Sequence, residues 1–247
     1  MEPPTLGTDP TDERSGAVLE QPDGLGPGTV AGVLRERPPM DRELPGFDQA
    51  AAPAAPGPLF VEWLLGALTA GVPDAQVGAL STVDADGLPD ARMLVLRDVD
   101  AEGAGWLFAG DRGSPKGRQL TAHPVAALTF YWPPLGRQVR IRGTVEAAAP
   151  ELSAAEFLTR SPAARAAALG GPQSGPIDST DAYAAELAAA LERLAADPGL
   201  VAPGHTVYTL RALAVEFWQG DRARRHVRLR YERPTPGAEW TRGLLRP

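Results

Sequence analysis

The spacing of apolar residues changes along the chain and separates helices from strands. From Pro58 onward, apolar side chains recur at helical intervals, with Pro58 suited to the start of a helix and Gly71 to its end. Beyond that helix the period becomes two, which predicts strands over residues 76–83, 90–98, 105–109, 125–132, 138–142, 206–218, 224–231 and 239–246. Many strands with few, peripheral helices predict a mainly β fold of the α+β class, in the form of a β-barrel with added helices.

Three more segments have helical signals, and one of them suits an anion. Residues 150–169 and 179–197 are rich in Ala, Leu and Glu, and a Gly/Pro-rich break separates them. Residues 114–122 form a shorter predicted helix, with Ser114 as its N-cap and Pro115 in the first position. The free backbone N–H groups at such a helix start attract negative charge, so an anion site is predicted there.

The N-terminal part of the chain differs in composition from the rest. Residues 1–28 lack a hydrophobic period and mix Pro, Gly, Asp, Glu and Thr, which predicts a disordered tail. Residues 29–57 are still Pro-rich but contain several large apolar residues, so we expect an extended arm that packs on the folded domain. That domain is predicted to span residues 58–247, without an internal repeat.

Composition excludes several classes of function. The 247 residues include no cysteine, which rules out disulfides, thiolate nucleophiles and iron–sulfur clusters and is typical of the cytoplasm. With three histidines, no metal site is expected. The net charge of −7 argues against nucleic-acid binding. No apolar run reaches the ~20 residues of a membrane span, and no signal-peptide pattern is found.

A single lysine stands among 24 basic residues, all the others being arginine. Lys116 lies within residues 113–118, a run of small residues of the kind that can cradle a phosphate. An ammonium is a compact point charge, whereas guanidinium is a planar fork, so the one retained lysine indicates a contact that a fork does not fit. The alternative is an ordinary surface lysine, and position alone does not decide between the two.

Four cationic side chains share one face of the predicted strand 224–231, namely Arg224, His226, Arg228 and Arg230. Cations at alternate positions repel each other unless an anion or a set of acids faces them. The face is therefore either a site for a phosphorylated or carboxylated ligand, or a solvated strand face balanced by Asp221 and Glu232.

Other candidate residues have ordinary structural alternatives. Trp218, next to a glycine turn, suits either the wall of a ring-binding site or core packing. The amide and hydroxyl of residues 173–174 lie in a Gly/Pro-rich loop. Glu156 and Arg160 have the i, i+4 spacing of a surface ion pair. His205 lies in a loop and receives no assignment.

Seven ordered segments carry a resemblance to a known family. They are residues 91–97, 107–120, 130–132 with 137–141, 172–174, 215–220, the pattern Arg224-x-His226-x-Arg228-x-x-Tyr231, and the ending with Trp240 and Leu245-Arg246-Pro247. Together they resemble the pyridoxamine 5′-phosphate oxidase family, FMN-dependent split-barrel proteins that are usually homodimers with two flavins at the interface. The resemblance covers roughly residue 58 to the C-terminus and implies an FMN-binding split β-barrel.

The resemblance implies which residues surround the flavin. Arg92 and Lys116 would bind the FMN phosphate, and Gln138 would come from the partner subunit. The whole set implied to contact FMN is Arg92, Met93, Leu94, Val95, Leu96, Arg97, Ala109, Gly110, Pro115, Lys116, Gln138, Gln173, Ser174, Trp218 and Arg228. Arg224 and His226 fall where the family contacts its substrate and are the implied catalytic residues.

Departures from the family pattern argue against the family's usual substrate. Its pocket for the substrate phosphate uses Lys, Tyr, Arg and Ser, and the corresponding positions here are Arg97, Glu156, Arg160 and Ala164. A carboxylate repels a phosphate dianion, so tight binding of pyridoxine 5′-phosphate is not expected. Residues 203–208 look more like the phenazine-biosynthesis branch, whose members dehydrogenate reduced nitrogen heterocycles at the same flavin site.

The resulting hypothesis is a cytoplasmic, homodimeric, FMN-dependent oxidase that takes a hydride from a nitrogen-containing small molecule and reduces O₂ to H₂O₂. We expect a role in the biosynthesis of a secondary metabolite such as an antibiotic. Arginines would bind a substrate carboxylate, and Glu156 an amine. The residues expected to contact the substrate are Arg97, Glu156, Arg160, Arg224, Arg225 and His226. Two alternatives stay open: a true pyridoxine/pyridoxamine 5′-phosphate oxidase, and a flavin-binding module without catalysis.

Overall fold

The computed structural model describes residues 30–247, and the chain divides into two units. The first unit ends at Asp41, and its described part contains helix α1 (Val30–Glu36). The second unit, Arg42–Pro247, contains the other helices and all the strands of the described chain. The tail predicted over residues 1–28 lies outside the described residues.

Five α-helices, one short 3-10 helix (Pro133–Leu135) and nine strands build the second unit. The helices are α2 (Pro56–Thr69), α3 (Pro115–Ala122), α4 (Pro150–Leu158), α5 (Pro162–Leu169) and α6 (Thr180–Ala196). The strands are β1 (Val77–Val83), β2 (Pro89–Val95), β3 (Asp98–Asp100), β4 (Gly105–Asp111), β5 (Val125–Trp132), β6 (Arg137–Ala147), β7 (His205–Gln219), β8 (Val227–Glu232) and β9 (Thr241–Leu244).

All nine strands join one sheet whose pairings are antiparallel, in the order β2-β1-β5-β6-β7-β4-β3 with β8 and β9 attached to β7. The long strand β7 pairs with β6 along one edge, and with β4 and then β8 along the other. The register between β6 and β7 shifts at Arg142/Gly143, which marks a β-bulge. The prediction of a mainly β fold with added helices is confirmed.

One face of the sheet carries the hydrophobic core. Phe130, Phe217 and Leu229 lie on this face at matching positions of β5, β7 and β8, and all three are buried. Helix α2 covers them, with the ring centroids of Phe60 and Phe130 at 5.1 Å and those of Trp63 and Phe217 at 5.2 Å. Edge-to-face packing of large aromatic rings thus fixes α2 on the inside of the curved sheet.

The opposite face of the sheet carries polar and exposed apolar side chains. Tyr131, Gln138, Trp218 and Arg228 are paired directly across β5, β6, β7 and β8 and form one row. Because side chains alternate between the two faces of a strand, this row points away from the core. Met93 and Tyr131 on this outer face are 65% and 50% exposed.

The segment from Arg42 to the start of α2 packs on the sheet unit. The ring of Phe47 lies edge-on to Trp63 at 5.0 Å, and the Tyr231 hydroxyl donates a hydrogen bond to the Pro53 carbonyl at 2.8 Å. Arg42 donates to the carbonyl of Pro134 at 3.2 Å. This part of the predicted arm is therefore attached through both apolar and polar contacts.

The prediction of a strand over residues 224–231 is wrong in its first half, because β8 begins only at Val227. Asp221 forms a turn there, accepting hydrogen bonds from the backbone N–H groups of Ala223 at 2.7 Å and Arg225 at 3.3 Å. Arg224 has a left-handed φ of 61°, so it and His226 do not share a strand face with the arginines of β8.

Several other predicted boundaries also differ from the structure. Residues 150–169 form two helices, because Ser161 caps a new helix by accepting a hydrogen bond from the Ala164 N–H, and Pro162 starts it. The strand predicted over residues 90–98 ends at Val95, and a short strand, β3, follows. The chain leaves the sheet between them, at the place where Arg97 stands.

Candidate functional site

Helix α3 begins against a tight loop that places Lys116 at the helix start. Ser114 caps the helix by accepting a hydrogen bond from the Gly117 N–H at 3.2 Å, and Pro115 occupies the first turn, as predicted. A Cβ on Gly117 would lie 2.3 Å from the carbonyl oxygen of Arg112, so glycine alone allows this close approach. Pro115 has no N–H, and the Gly117 N–H is used by the cap, so the backbone N–H of Lys116 is the first-turn donor left for an anion at this helix start.

Lys116 is a buried cation and not a surface lysine. It is 9% exposed, and its Nζ donates hydrogen bonds to Gln173 Oε1 and, at 3.3 Å, to Ser114 Oγ. Burial, and next to it repulsion by Arg92, lower the pKa of the Lys116 ammonium, while Asp111 has a smaller opposite effect. A bound anion would supply the negative charge that these neutral oxygens do not.

Arg92 reaches the same region from β2. Its guanidinium donates hydrogen bonds to Thr82 Oγ1, to Asp90 Oδ2 and, at 3.0 Å, to Gln119 Oε1 on α3. The Arg92 side chain is still partly exposed. Two cations beside a helix N-terminus match a phosphate monoester, which carries about −2 charge at neutral pH. The residues present thus fit the phosphate of a phosphorylated cofactor.

Gln173 closes over Lys116 from the loop after α5. Besides its hydrogen bond with Lys116, Gln173 Oε1 accepts one from the backbone N–H of Asp111 at 3.4 Å. The backbone N–H of Gln173 in turn donates a hydrogen bond to Asp111 Oδ2 at 3.4 Å. Ser174 next to it has a left-handed φ of 65°. Gly110 leaves room for this contact, because a Cβ there would lie 2.5 Å from Lys116 Cε.

A cavity of about 940 Å³ opens beside this anion site. Gly110, Gln173 and Ser174 form part of its wall, and Arg160 and His205 form another part. The remaining wall comes from α5, α6 and the loop between them, from the end of β4 and from residues 202–204 after α6. Cavities of this size accommodate a cofactor or a ring-bearing small molecule.

A charged cluster surrounds Glu156 at this cavity. Oε2 of Glu156 lies 2.6 Å from His205 Nε2, and Oε1 lies 3.6 Å from Arg97 Nε and 3.8 Å from Arg160 Nε. The structure thus brings together three of the predicted substrate-binding residues. The i, i+4 ion pair of Glu156 with Arg160 is present, although Arg160 lies just beyond the end of α4.

His205 is a member of this cluster that the sequence did not identify. Its side chain is 2% exposed, and its ring packs against Phe157 at 4.9 Å. Burial lowers the pKa of the His205 imidazole, although the hydrogen bond to Glu156 opposes the shift. Helix α4 is fixed on the start of β7 by the hydrogen bond from the Val207 N–H to Ser153 Oγ, at 3.1 Å.

A second group of predicted site residues lies on the outer face of the sheet. Gln138, Trp218 and Arg228 belong to the row described above, and the His226 ring lies 4.9 Å from that of Trp218. His226 Nδ1 accepts a hydrogen bond from the Asp221 N–H at 3.0 Å. The turn after β7 therefore holds His226 against the tryptophan.

Acids balance the cations of this outer group. Glu216 is buried and accepts hydrogen bonds from Arg140 at 2.9 Å and from Arg228 at 2.8 Å, which raises the pKa of the Arg228 guanidinium. Arg230 lies 2.5 Å from Glu232. The sequence left two interpretations of the cations on β8: a site for an anionic ligand, or a strand face balanced by acids. The second describes Arg228 and Arg230, because each is paired with a glutamate.

The other predicted residues fall on both sides of the sheet. Met93 and Val95 are exposed on the outer face, whereas Leu94 and Leu96 pack with the core.

Ala109 lines the cavity, and Pro115 starts α3. The Arg225 side chain is 81% exposed and lies 3.8 Å from Asp221. Arg92 and Trp218 thus belong to different faces, and the predicted flavin contacts form two groups.

Comparison with known proteins identifies the family. The family model described as pyridoxamine 5′-phosphate oxidase matches residues 64–194, and that described as the pyridoxine 5′-phosphate oxidase C-terminal dimerisation region matches residues 205–247. The chain belongs to the pyridoxamine 5′-phosphate oxidase family. A pyridoxine/pyridoxamine 5′-phosphate oxidase of Rhodopseudomonas palustris is 40% identical over 192 residues, 78% of this chain and 90% of the relative. That of Azotobacter vinelandii is 39% identical over 223 residues, 90% of this chain and 100% of the relative.

Two solved structures share the fold of this chain. PhzG from Burkholderia lata, solved with tetrahydrophenazine-1-carboxylic acid, superposes with a TM-score of 0.75 at 28% identity, over 83% of this chain and 99% of PhzG. An FMN-binding relative of pyridoxamine 5′-phosphate oxidase from Nostoc punctiforme shares the fold with a TM-score of 0.64 at 22% identity, over 78% of this chain and 98% of that one. The predicted family and the split-barrel fold are confirmed. Within residues 30–247, no helix has the length and apolar character to span a membrane.

Proposed function

We propose that this protein is an FMN-dependent oxidase that removes a hydride from a nitrogen-containing small molecule. The observation that carries the proposal is the buried Lys116 at the start of α3, with the partly exposed Arg92 of β2 near it and a cavity of about 940 Å³ beside it. Bound FMN would supply the hydride acceptor and pass the electrons to O₂, giving H₂O₂. The protein's own groups bind and orient the reactants.

The roles of the binding residues follow from their chemistry. Lys116 and Arg92 hold the FMN phosphate, and the α3 N–H groups add the favourable end of the helix dipole. Gln173 already contacts Lys116, so it lies where its amide can bond the cofactor. The loop that carries Gln173 also forms part of the cavity wall.

The outer group of Gln138, Trp218 and Arg228 completes the site of a second copy of the chain. These residues point away from the face to which Arg92 belongs, so one chain does not direct both groups to one ligand. The outer face is also where Met93 and Tyr131 expose apolar surface. A symmetric dimer that buries this face would place the outer group of one protomer on the flavin of the other.

The substrate class rests on the charged groups near the cavity. PhzG holds a reduced, carboxylated nitrogen heterocycle, and this chain superposes on nearly all of it. Arg97 and Arg160 offer cationic partners to a carboxylate, whereas Glu156 opposes a phosphate dianion. We therefore favour a carboxylated nitrogen heterocycle of secondary metabolism as the substrate.

A second candidate is a true pyridoxine/pyridoxamine 5′-phosphate oxidase, favoured by the identity of about 40% to proteins of that name. Purified protein loaded with FMN is given either tetrahydrophenazine-1-carboxylic acid or pyridoxamine 5′-phosphate, and H₂O₂ is measured against flavin-free protein. We expect the FMN-loaded protein to oxidise tetrahydrophenazine-1-carboxylic acid at least 10-fold faster than the flavin-free protein does. We expect little turnover of pyridoxamine 5′-phosphate. The opposite preference would establish the second candidate.

Absence of turnover with both compounds, in protein that retains stoichiometric FMN, would favour the flavin-binding module without catalysis. Protein that fails to retain FMN at all would contradict the proposal at its first step. Absorbance of the flavin after gel filtration distinguishes these two failures.

A further inference from the structure

The cluster around Glu156 has an unusual distribution of hydrogen bonds. Glu156 directs one carboxylate oxygen to His205 at 2.6 Å, whereas its other oxygen lies 3.6 Å from Arg97 Nε and 3.8 Å from Arg160 Nε. The first distance is a short hydrogen bond, and the other two exceed hydrogen-bond length. The strong contact of the carboxylate is therefore with the histidine and not with the arginines.

Arg160 has donor capacity that the protein does not use. Its Nε is buried and makes no hydrogen bond with any described residue, although the side chain lines the cavity. Burial and repulsion by Arg97 lower the pKa of the Arg160 guanidinium, while Glu156 raises it less. Because the protein encloses this Nε, the cavity offers an anionic ligand the positive charge of the Arg160 guanidinium and not this one donor.

The charge of the cluster limits which anion fits. Burial lowers the pKa of the His205 imidazole, so the neutral ring donates a hydrogen bond from Nε2 to the Glu156 carboxylate without adding charge. The two guanidinium groups of Arg97 and Arg160 and the one carboxylate leave a surplus of one positive charge. A carboxylate ligand balances that surplus, whereas a phosphate monoester exceeds it.

We infer that the Glu156–His205 pair sets the charge of the ligand that this part of the cavity accepts, selecting a monoanionic carboxylate over a phosphate dianion. Arg97 and Arg160 bind the anionic group, and Glu156 cancels one of their charges. His205 is a positioning residue that acts through Glu156, since its ring is held between Glu156 and Phe157. The inference rests on the proposed function only in placing the ligand in this cavity.

The test measures selectivity by binding, independently of turnover. FMN-loaded protein is titrated calorimetrically with phenazine-1-carboxylate and with 4-deoxypyridoxine 5′-phosphate, neither of which donates a hydride. Glu156→Gln keeps the shape of the side chain and removes its charge. We expect the preference for the carboxylate over the phosphate to fall at least 10-fold, mainly because the phosphate binds more tightly.

Variants of His205 test whether it acts through Glu156. His205→Leu removes the N–H donor and should lower the preference at least threefold, whereas His205→Gln retains a donor and should restore most of it. In the Glu156→Gln background, His205→Leu should change the preference no further, because the carboxylate that it positions is already gone. A merely structural histidine would weaken both ligands equally and in both backgrounds.

Each outcome bears on the inference. An unchanged preference in Glu156→Gln, or wild-type protein that binds neither probe, overturns it. A changed preference in protein that shows no oxidase activity supports the binding site and refutes the proposed reaction alone. Thermal melting of every variant shows whether it is folded, and His205→Gln keeps the test decisive if His205→Leu is not.

Discussion

At the scale of single residues, Lys116 is the most direct test of the cofactor site. Lys116→Met keeps the length and apolar stem of the side chain but removes the ammonium, so the FMN phosphate loses a charge-assisted contact. Such contacts contribute about 1.5–3 kcal/mol, so we expect FMN affinity to fall roughly 10- to 100-fold. Quenching of flavin fluorescence on titration of the apoprotein measures the change.

Arg118→Met is the matched control for that substitution. Arg118 stands two positions further along the same helix and is exposed, so removing its charge should change FMN affinity less than threefold. Equal effects of the two variants would show that general positive charge, and not the position of Lys116, attracts the flavin.

Single residues also show which features of a site a sequence can signal. Lys116 stood out because one lysine among arginines is a compositional signal, and the N-cap and proline beside it are local signals. His205 gave no such signal, because its partner Glu156 lies 49 residues away and only the fold brings them together. Side-chain pairs of this kind depend on tertiary packing, which no local pattern encodes.

At the scale of elements, local chemistry explains both correct and wrong boundaries. Helix α3 was predictable because its cap and first residue act within four positions. The start of β8 was mistaken because alternation alone predicted a strand from Arg224, whereas the Asp221 side chain bonds the backbone of Ala223 and Arg225 into a turn. Asp221, directly after Gly220, is a turn signal, but the prediction followed the alternating pattern of residues 224–231 instead.

The β-bulge of β6 provides a prediction at this scale. A Cβ on Gly143 would lie 1.9 Å from the carbonyl oxygen of Arg211, so Gly143→Ala must push β6 away from β7. We expect the free energy of unfolding to fall by about 1–3 kcal/mol, measured by urea denaturation. Gly66→Ala is the control: it lies in α2 with no atom within 4 Å of its Cβ position, and should stabilise by about 0.5–1 kcal/mol.

At the scale of the whole molecule, the class of the fold was predictable but the arrangement of the site was not. The change of period from helical to alternating indicated a mainly β chain, because each strand buries one face. The order β2-β1-β5-β6-β7-β4-β3 depends on pairings between distant segments, and it decides that Gln138, Trp218 and Arg228 form one row. The resemblance of ordered segments named these residues without showing that they lie opposite Arg92.

This separation of the two groups predicts complementation between defective chains. Lys116→Met damages the group that would bind the FMN phosphate, and Trp218→Ala damages the outer group of Gln138, Trp218 and Arg228. Each homodimer therefore has a defect in both of its flavin sites. If every flavin contacts Lys116 of one protomer and Trp218 of its partner, a mixed dimer regains one undamaged site. Random pairing of the two variants at equal amounts should therefore restore about a quarter of the wild-type flavin sites. Co-expression followed by measurement of bound flavin per chain tests this.

The control for complementation pairs two defects from the same group, Lys116→Met with Arg92→Met. A mixed dimer of these chains has one defect in each site, so no site recovers and bound flavin should stay at the level of the separate variants. Recovery in this control as well would show that mixing stabilises the chains in some general way. Failure of Lys116→Met with Trp218→Ala to recover, in dimers shown to be mixed, would instead place both groups around a flavin within one chain.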